Sequence, residues 1–161
     1  MKCPTCRTEM ASRREAYRYD ECGLANVTLL NVEVRQCPAC GTRTPVIRHI
    51  EDLHRALAAA LVLKPNRLAA AEIRFLRKHL GWSGVDFASH MGVTAEQVSR
   101  WESGAKPIGA TADRALRLMV LVRRPVQDYD LDALAGLSDS TTPMPLLRLR
   151  ATPKGWEQAA A

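Results

Sequence analysis

The stretch Phe87-Ala88-Ser89-His90-Met91-Gly92-Val93-Thr94-Ala95-Glu96-Gln97-Val98-Ser99-Arg100-Trp101-Glu102-Ser103-Gly104 reads as two short helices joined by a tight turn. Ala88 is small where the helices must cross closely, Gly92 turns the chain four residues later, and Val98, ten residues after Ala88, faces inward. Thr94 has the hydroxyl of an N-cap, and Gln97, three residues on, has the amide of a capping box. Gly104 closes the second helix. Phe87, Val93 and Trp101 add apolar residues on the inward side, which makes Trp101 a core residue rather than a stacking platform. Glu96, Gln97, Ser99 and Arg100 are left facing out, and an extended polar set on the second helix of such a pair is what reading a DNA major groove requires. The motif is therefore a helix-turn-helix.

The flanking sequence supplies more helices of the same period. Leu68 to Leu80 places Ile73, Leu76 and Leu80 inward and stops at Gly81. Ser83, a good N-cap, opens the helix that ends at Met91. A further helix is expected from Ala112 to Arg123, with Ala115, Leu118, Met119 and Val122 as its buried stripe. The net charge is +6, and residues 64–124 hold eleven Lys/Arg against five Asp/Glu, so this block alone accounts for it. A basic block between nearly neutral and slightly acidic segments points to a polyanion partner. Thr94, Lys106, Arg74, Arg77, Lys78 and Arg114 are the candidates for phosphate contacts, which set register and salt dependence. For Arg100 the sequence offers a bidentate contact to guanine or an intrahelical pair with Glu96. Gln97 can read adenine or close the capping box, and Glu96 can accept from cytosine.

The amino-terminal part is of another kind. Cys3-Pro4-Thr5-Cys6 and Cys37-Pro38-Ala39-Cys40 supply four thiolates, enough to close a tetrahedral structural zinc site with no position left for water. A redox dithiol needs no second copy, and disulfides are disfavoured because nothing marks the chain as secreted. Cys22 has no partner at ligand spacing and reads as a spare thiol. Between the knuckles, Val27, Leu29, Val32 and Val34 alternate with a phase change at Leu30-Asn31, so strand is expected there, with a bulge or a turn at the change. Arg13 to Tyr19 and Thr42 to Ile47 are candidates to pair with it. From His49 the period is helical, with Ile50, Leu53, Leu57 and Leu61 on one stripe, and Lys64-Pro65-Asn66 ends that helix.

These readings divide the chain into a zinc-ribbon domain at 1–48, a connecting helix and linker at 49–66, a helix-turn-helix domain at 67–124 and a partly flexible tail at 125–161. The fold class is α+β, a small β zinc ribbon followed by an all-α domain. In the tail, Asp128, Asp130 and Asp132 give way to a polar run. Leu146, Leu147 and Leu149 beyond it suit a short strand or an interaction segment. No apolar run is long enough to cross a bilayer, and the chain reads as cytoplasmic. There is no phosphate-cradling loop and no nucleophile or metalloprotease motif, so the reading is not an enzyme.

Ile73-Arg74-Phe75-Leu76-Arg77, Phe87-Ala88, Gly92-Val93 and Val98-Ser99-Arg100-Trp101-Glu102-Ser103-Gly104 together resemble the Xre, or lambda-repressor-like, helix-turn-helix domain. With two Cys-Pro-x-Cys knuckles ahead of it, the chain resembles the MqsA/YgiT-type antitoxins over about residues 1–124. The resemblance implies one structural zinc per chain on Cys3, Cys6, Cys37 and Cys40, and a toxin partner for residues 1–48. It also implies a homodimer that binds a palindromic double-stranded operator and represses transcription. Arg100 matches the family's base-reading arginine, whereas the family's other base reader, an asparagine, is replaced by Glu96. The tail goes beyond the usual family end. That leaves room for a stand-alone zinc-containing regulator, or an adaptor for protein or RNA, without a toxin.

Overall fold

The computed structural model describes residues 1–123, 140–143 and 146–159, the side chain of Arg123 excepted. Two compact units result: Met1–Asp20, Ala25–Leu53 and Leu146–Ala161 in one, Glu21–Leu24 and His54–Pro145 in the other. Strands fill the first unit and helices the second, so the α+β class holds.

The first unit is a single sheet. β1 (Ala11–Arg18) and β2 (Val27–Gln36) pair antiparallel, and β3 (Arg43–Val46) pairs with the C-terminal part of β2. The phase change expected at Leu30-Asn31 is a bulge. Glu15 faces Val32 and Tyr17 faces Leu29, so Ala16 opposes two residues of β2, one of them Asn31 with φ 60°. The extra residue returns the apolar side chains to one face, and Val27, Leu29, Val32 and Val34 are all buried.

The sequence division is corrected at its C-terminal end. Leu147–Thr152 forms β4, parallel to Val27–Leu30 of β2, and Gly155–Gln158 forms β5, antiparallel to β4. The last part of the expected tail is thus sheet, with Leu147 and Leu149 buried beside Val27 and Leu29. The expectations for the acidic and polar stretch, Asp128 to Asp139, lie outside the described residues.

The second unit takes the remainder of α1 (Ile50–Leu63), which begins in the first, and then α2 (Ala70–His79), α3 (Gly84–Met91), α4 (Ala95–Ser103) and α5 (Ala110–Arg123). Its core is apolar, with Leu57, Leu61, Leu68, Ile73, Leu76, Phe87, Val98, Trp101, Ile108 and Leu116 buried. A buried polar network runs through it. Arg117 Nε donates to Asp113 Oδ1 at 2.6 Å, and its other nitrogens donate to the carbonyls of Val62, Lys64 and Asn66 at 2.8, 2.6 and 2.7 Å. Asp113 Oδ2 in turn accepts from the Leu68 N–H. Lys64 Nζ donates to Glu72 Oε2 at 2.7 Å, and the same oxygen accepts the N–H of Ala69, capping α2. Lys64-Pro65-Asn66 does end a helix, but it is bonded into the helical unit rather than lying between domains.

The buried stripe of α5 also differs from expectation. Leu116, Val120 and Leu121 are buried with Asp113 and Arg117, whereas Leu118 is exposed and Val122 is 82 % exposed. The buried face is set two positions back from the expected one, at 113, 116, 117 and 120, because it takes in the charged pair Asp113 and Arg117, which an apolar period does not register.

Candidate metal centre and nucleic-acid interface

The two knuckles are near copies of each other. In the first, the Cys3 N–H donates to Thr8 O at 2.8 Å and the Arg7 N–H to Cys3 O at 2.9 Å; in the second, Cys37 N–H donates to Thr42 O at 2.9 Å and Gly41 N–H to Cys37 O at 3.0 Å. Each knuckle turns through a left-handed residue, Arg7 at φ 61° and Gly41 at φ 73°. Cys3 and Cys37 are buried against Met10, while Cys6 and Cys40 face solvent.

The four sulfurs lie within 4.8 Å of one another, with Cys3–Cys40 at 3.5 Å, Cys6–Cys37 at 3.3 Å and Cys6–Cys40 at 3.5 Å. A tetrahedral shell with metal–sulfur bonds of about 2.3 Å has edges of about 3.8 Å, so the donor set has the size for one ion. Its electrostatics ask for one. The Cys3 thiol is drawn down to about 6, first by the Cys6 backbone N–H. The Cys6 thiol is lowered first by the Thr8 hydroxyl. At Cys37 the Cys40 N–H pulls downward, yet burial and the neighbouring sulfurs push the thiol up to about 11. Four thiols this close cannot all ionise until a cation removes their repulsion.

Thr8 and Thr42 were missed in the sequence reading. Their hydroxyls lie 3.4 Å from Cys6 Sγ and 3.1 Å from Cys40 Sγ, supporting the two exposed sulfurs. The signal was present, since both knuckles read Cys-Pro-x-Cys-x-Thr. Cys22 is not part of the cluster; its thiol points to the Leu24 carbonyl.

In the helical unit the turn is built as its residues require. Ser83 and Asp86 cap α3 reciprocally, each side chain bonding the other's backbone N–H. Ala88 and Val98 are buried, and Gly92 takes φ 64°, the left-handed conformation that ends α3. Thr94 Oγ1 accepts the Gln97 N–H at 3.2 Å, but the reciprocal half of the capping box does not form, so the Gln97 amide is not committed to the cap.

On α4, Glu96, Ser99 and Arg100 are exposed and Gln97 is half-buried. Arg100 donates to Glu96 at 2.5 Å on the surface. A pair this exposed is worth only about 0.3–0.5 kcal/mol, so it can hold the guanidinium in place and still yield it to a stronger acceptor.

The phosphate candidates separate. Lys78 and Lys106 are exposed, and Arg114 is half-buried. The Thr94 hydroxyl caps α4. Arg74 is half exposed and donates to the Glu102 carbonyl at 2.6 Å. Arg77 is corrected to a structural residue: its side chain is 13 % exposed, it grips both Glu102 carboxylate oxygens at 2.5 and 3.0 Å, and it donates to Trp82 O. Glu102 lowers the cost of burying that charge and ties α4 to α2.

The chain thus carries a helix-turn-helix and, near its N-terminus, a four-cysteine cluster that could hold a metal ion. Residues 73–119 match the helix-turn-helix family, the Xre type, and a domain of this class binds double-stranded DNA. No curated protein and no solved structure matches the chain. No helix among the described residues is long and apolar enough to cross a membrane.

Proposed function

We propose that this protein is a sequence-specific transcriptional repressor of the antitoxin-like kind, acting as a homodimer on a palindromic operator. The exposed row Glu96, Ser99 and Arg100, on a helix whose opposite side is fixed by Val98 and Trp101, carries this reading. Arg100 forks to a guanine, the uncommitted Gln97 amide bonds an adenine, and Glu96, released from Arg100, accepts from cytosine. Lys78, Lys106, Arg74, Arg114 and the Thr94 end of α4 meet phosphates.

Cys3, Cys6, Cys37 and Cys40 hold one zinc ion, whose contribution is structural: it neutralises the thiolates and fastens the amino-terminal module. That module docks a protein, a toxin in this reading. A toxin partner implies a small toxin-like reading frame adjacent to this one and growth arrest that the present chain relieves.

The base-reading assignment is tested with Arg100→Ala on duplexes selected from a randomised pool. The variant should lose about 1–3 kcal/mol of preference for the selected site and keep its nonspecific affinity. Equal loss on selected and random DNA would sink the assignment.

A further inference from the structure

Along one edge of β2, the two partner strands stop short of each other. β3 ends at Val46 opposite Glu33, and β4 is paired only as far as Leu30, so Asn31 and Val32 lie between them. Because β3 runs antiparallel and β4 parallel to β2, both point their C-terminal ends at this break. A cavity of about 420 Å³ opens there, with Arg14, Glu33, Arg48, His49 and Trp156 on its walls. The volume is within the small-molecule range.

The lining selects an anion. Arg14 spends one N–H on the Asn31 carbonyl at 3.1 Å, which tethers its guanidinium at the break. Among the described residues, no carboxylate lies within ion-pair distance of the Arg48 guanidinium. The cavity's own carboxylate, Glu33, feels the charge of Arg48, but its hydrogen bonds go elsewhere, one oxygen accepting from Ser12 Oγ and Arg35 Nε at 3.0 Å each, so Arg14 and Arg48 together leave the lining net positive. Trp156 adds a flat apolar wall whose orientation is fixed, since its indole N–H donates to the Arg48 carbonyl at 3.2 Å.

The backbone points to the same place. Three non-glycine residues with left-handed φ occur among the described residues, and two of them, Asn31 and His49, line this cavity. Such conformations cost free energy and gather where a site needs a particular shape.

We propose that this cavity binds a small planar aromatic anion, its ring against Trp156 and its acidic group held by Arg14 and Arg48. The proposal does not rest on the DNA-binding reading. Carboxylate and phosphate ligands share this chemistry, and the test separates them. The full, zinc-loaded chain is labelled with 5-fluorotryptophan, and the fluorine signal of Trp156 is assigned through Trp156→Phe. Salicylate and adenosine monophosphate are titrated separately. At least one should shift the Trp156 signal saturably and leave Trp82 and Trp101 in place. A response to salicylate alone assigns a carboxylate ligand, and one to the nucleotide alone a phosphate. Neutral salicylamide should leave the signal unmoved, and Arg14→Gln and Arg48→Gln should each weaken binding about tenfold with the unliganded spectrum unchanged. No saturable Trp156 shift below about 10 mM of either probe, equal binding of salicylamide, or wild-type affinity in both glutamine variants would overturn it.

Discussion

Arg117 is the residue on which the helical unit depends most. Its fully buried guanidinium satisfies three carbonyls at the end of α1 and in the following turn, and it neutralises Asp113. Replacing it with leucine strands a buried carboxylate and three carbonyls at once. Arg117→Leu should destabilise the unit by about 3–5 kcal/mol in urea denaturation, and Asp113→Asn in the same chain should recover part of that loss. His54 makes stability depend on pH. Burial, with Phe75 edge-on at 5.8 Å, holds its imidazole below the ordinary 6.5. The unfolded chain therefore binds more protons in that region, so this share of stability is full above about pH 6.5 and is lost as pH falls through the folded value. His54→Phe should flatten the fall in urea midpoint between about pH 7 and pH 5. An unchanged slope would assign it to other groups.

Among the elements, β4 changes most between sequence and structure. The alternation of Leu147 and Leu149 with Arg148 and Arg150 gives strand, but six residues cannot name their partner strand. The pairing with Val27–Leu30 comes from a parallel register more than a hundred residues away. Leu149→Ala should therefore destabilise the amino-terminal sheet, by about 2–5 kcal/mol, and leave the helical unit's melting unchanged. Helix α5 shows the converse. Its existence follows from the apolar period, but its buried face includes Asp113 and Arg117, a charged pair that in sequence looks like any exposed one. The turn between α3 and α4 was legible in full, since Ala88, Gly92 and Val98 each meet a local steric demand.

For the whole molecule, the four-cysteine cluster and the C-terminal strands belong to one sheet unit. A sheet of this size has a small core, so a metal ion held by the four cysteines would supply much of its folding free energy. Chelation should collapse the amide NMR signals of residues 147–158 together with those of 11–46, while the signals of α2 to α5 persist. If 147–158 stayed ordered alone, the sheet would not be one cooperative unit.

By itself the sequence determined whatever short spacings control. The four cysteines, the capped helices, the phase change at Leu30-Asn31 and the outward row Glu96, Ser99 and Arg100 all follow from geometry within a few residues, while pairing with β1 made that phase change a bulge rather than a turn. Tertiary structure alone decided which cations are structural and which are free, and where the C-terminal strands belong. Arg77 and Arg117 are spent on Glu102 and Asp113, and the break along β2 exists only because two distant strands share one edge. Those outcomes depend on burial and on long-range pairing, which set the cost of a charge and the register of a strand but leave no periodic trace in the chain.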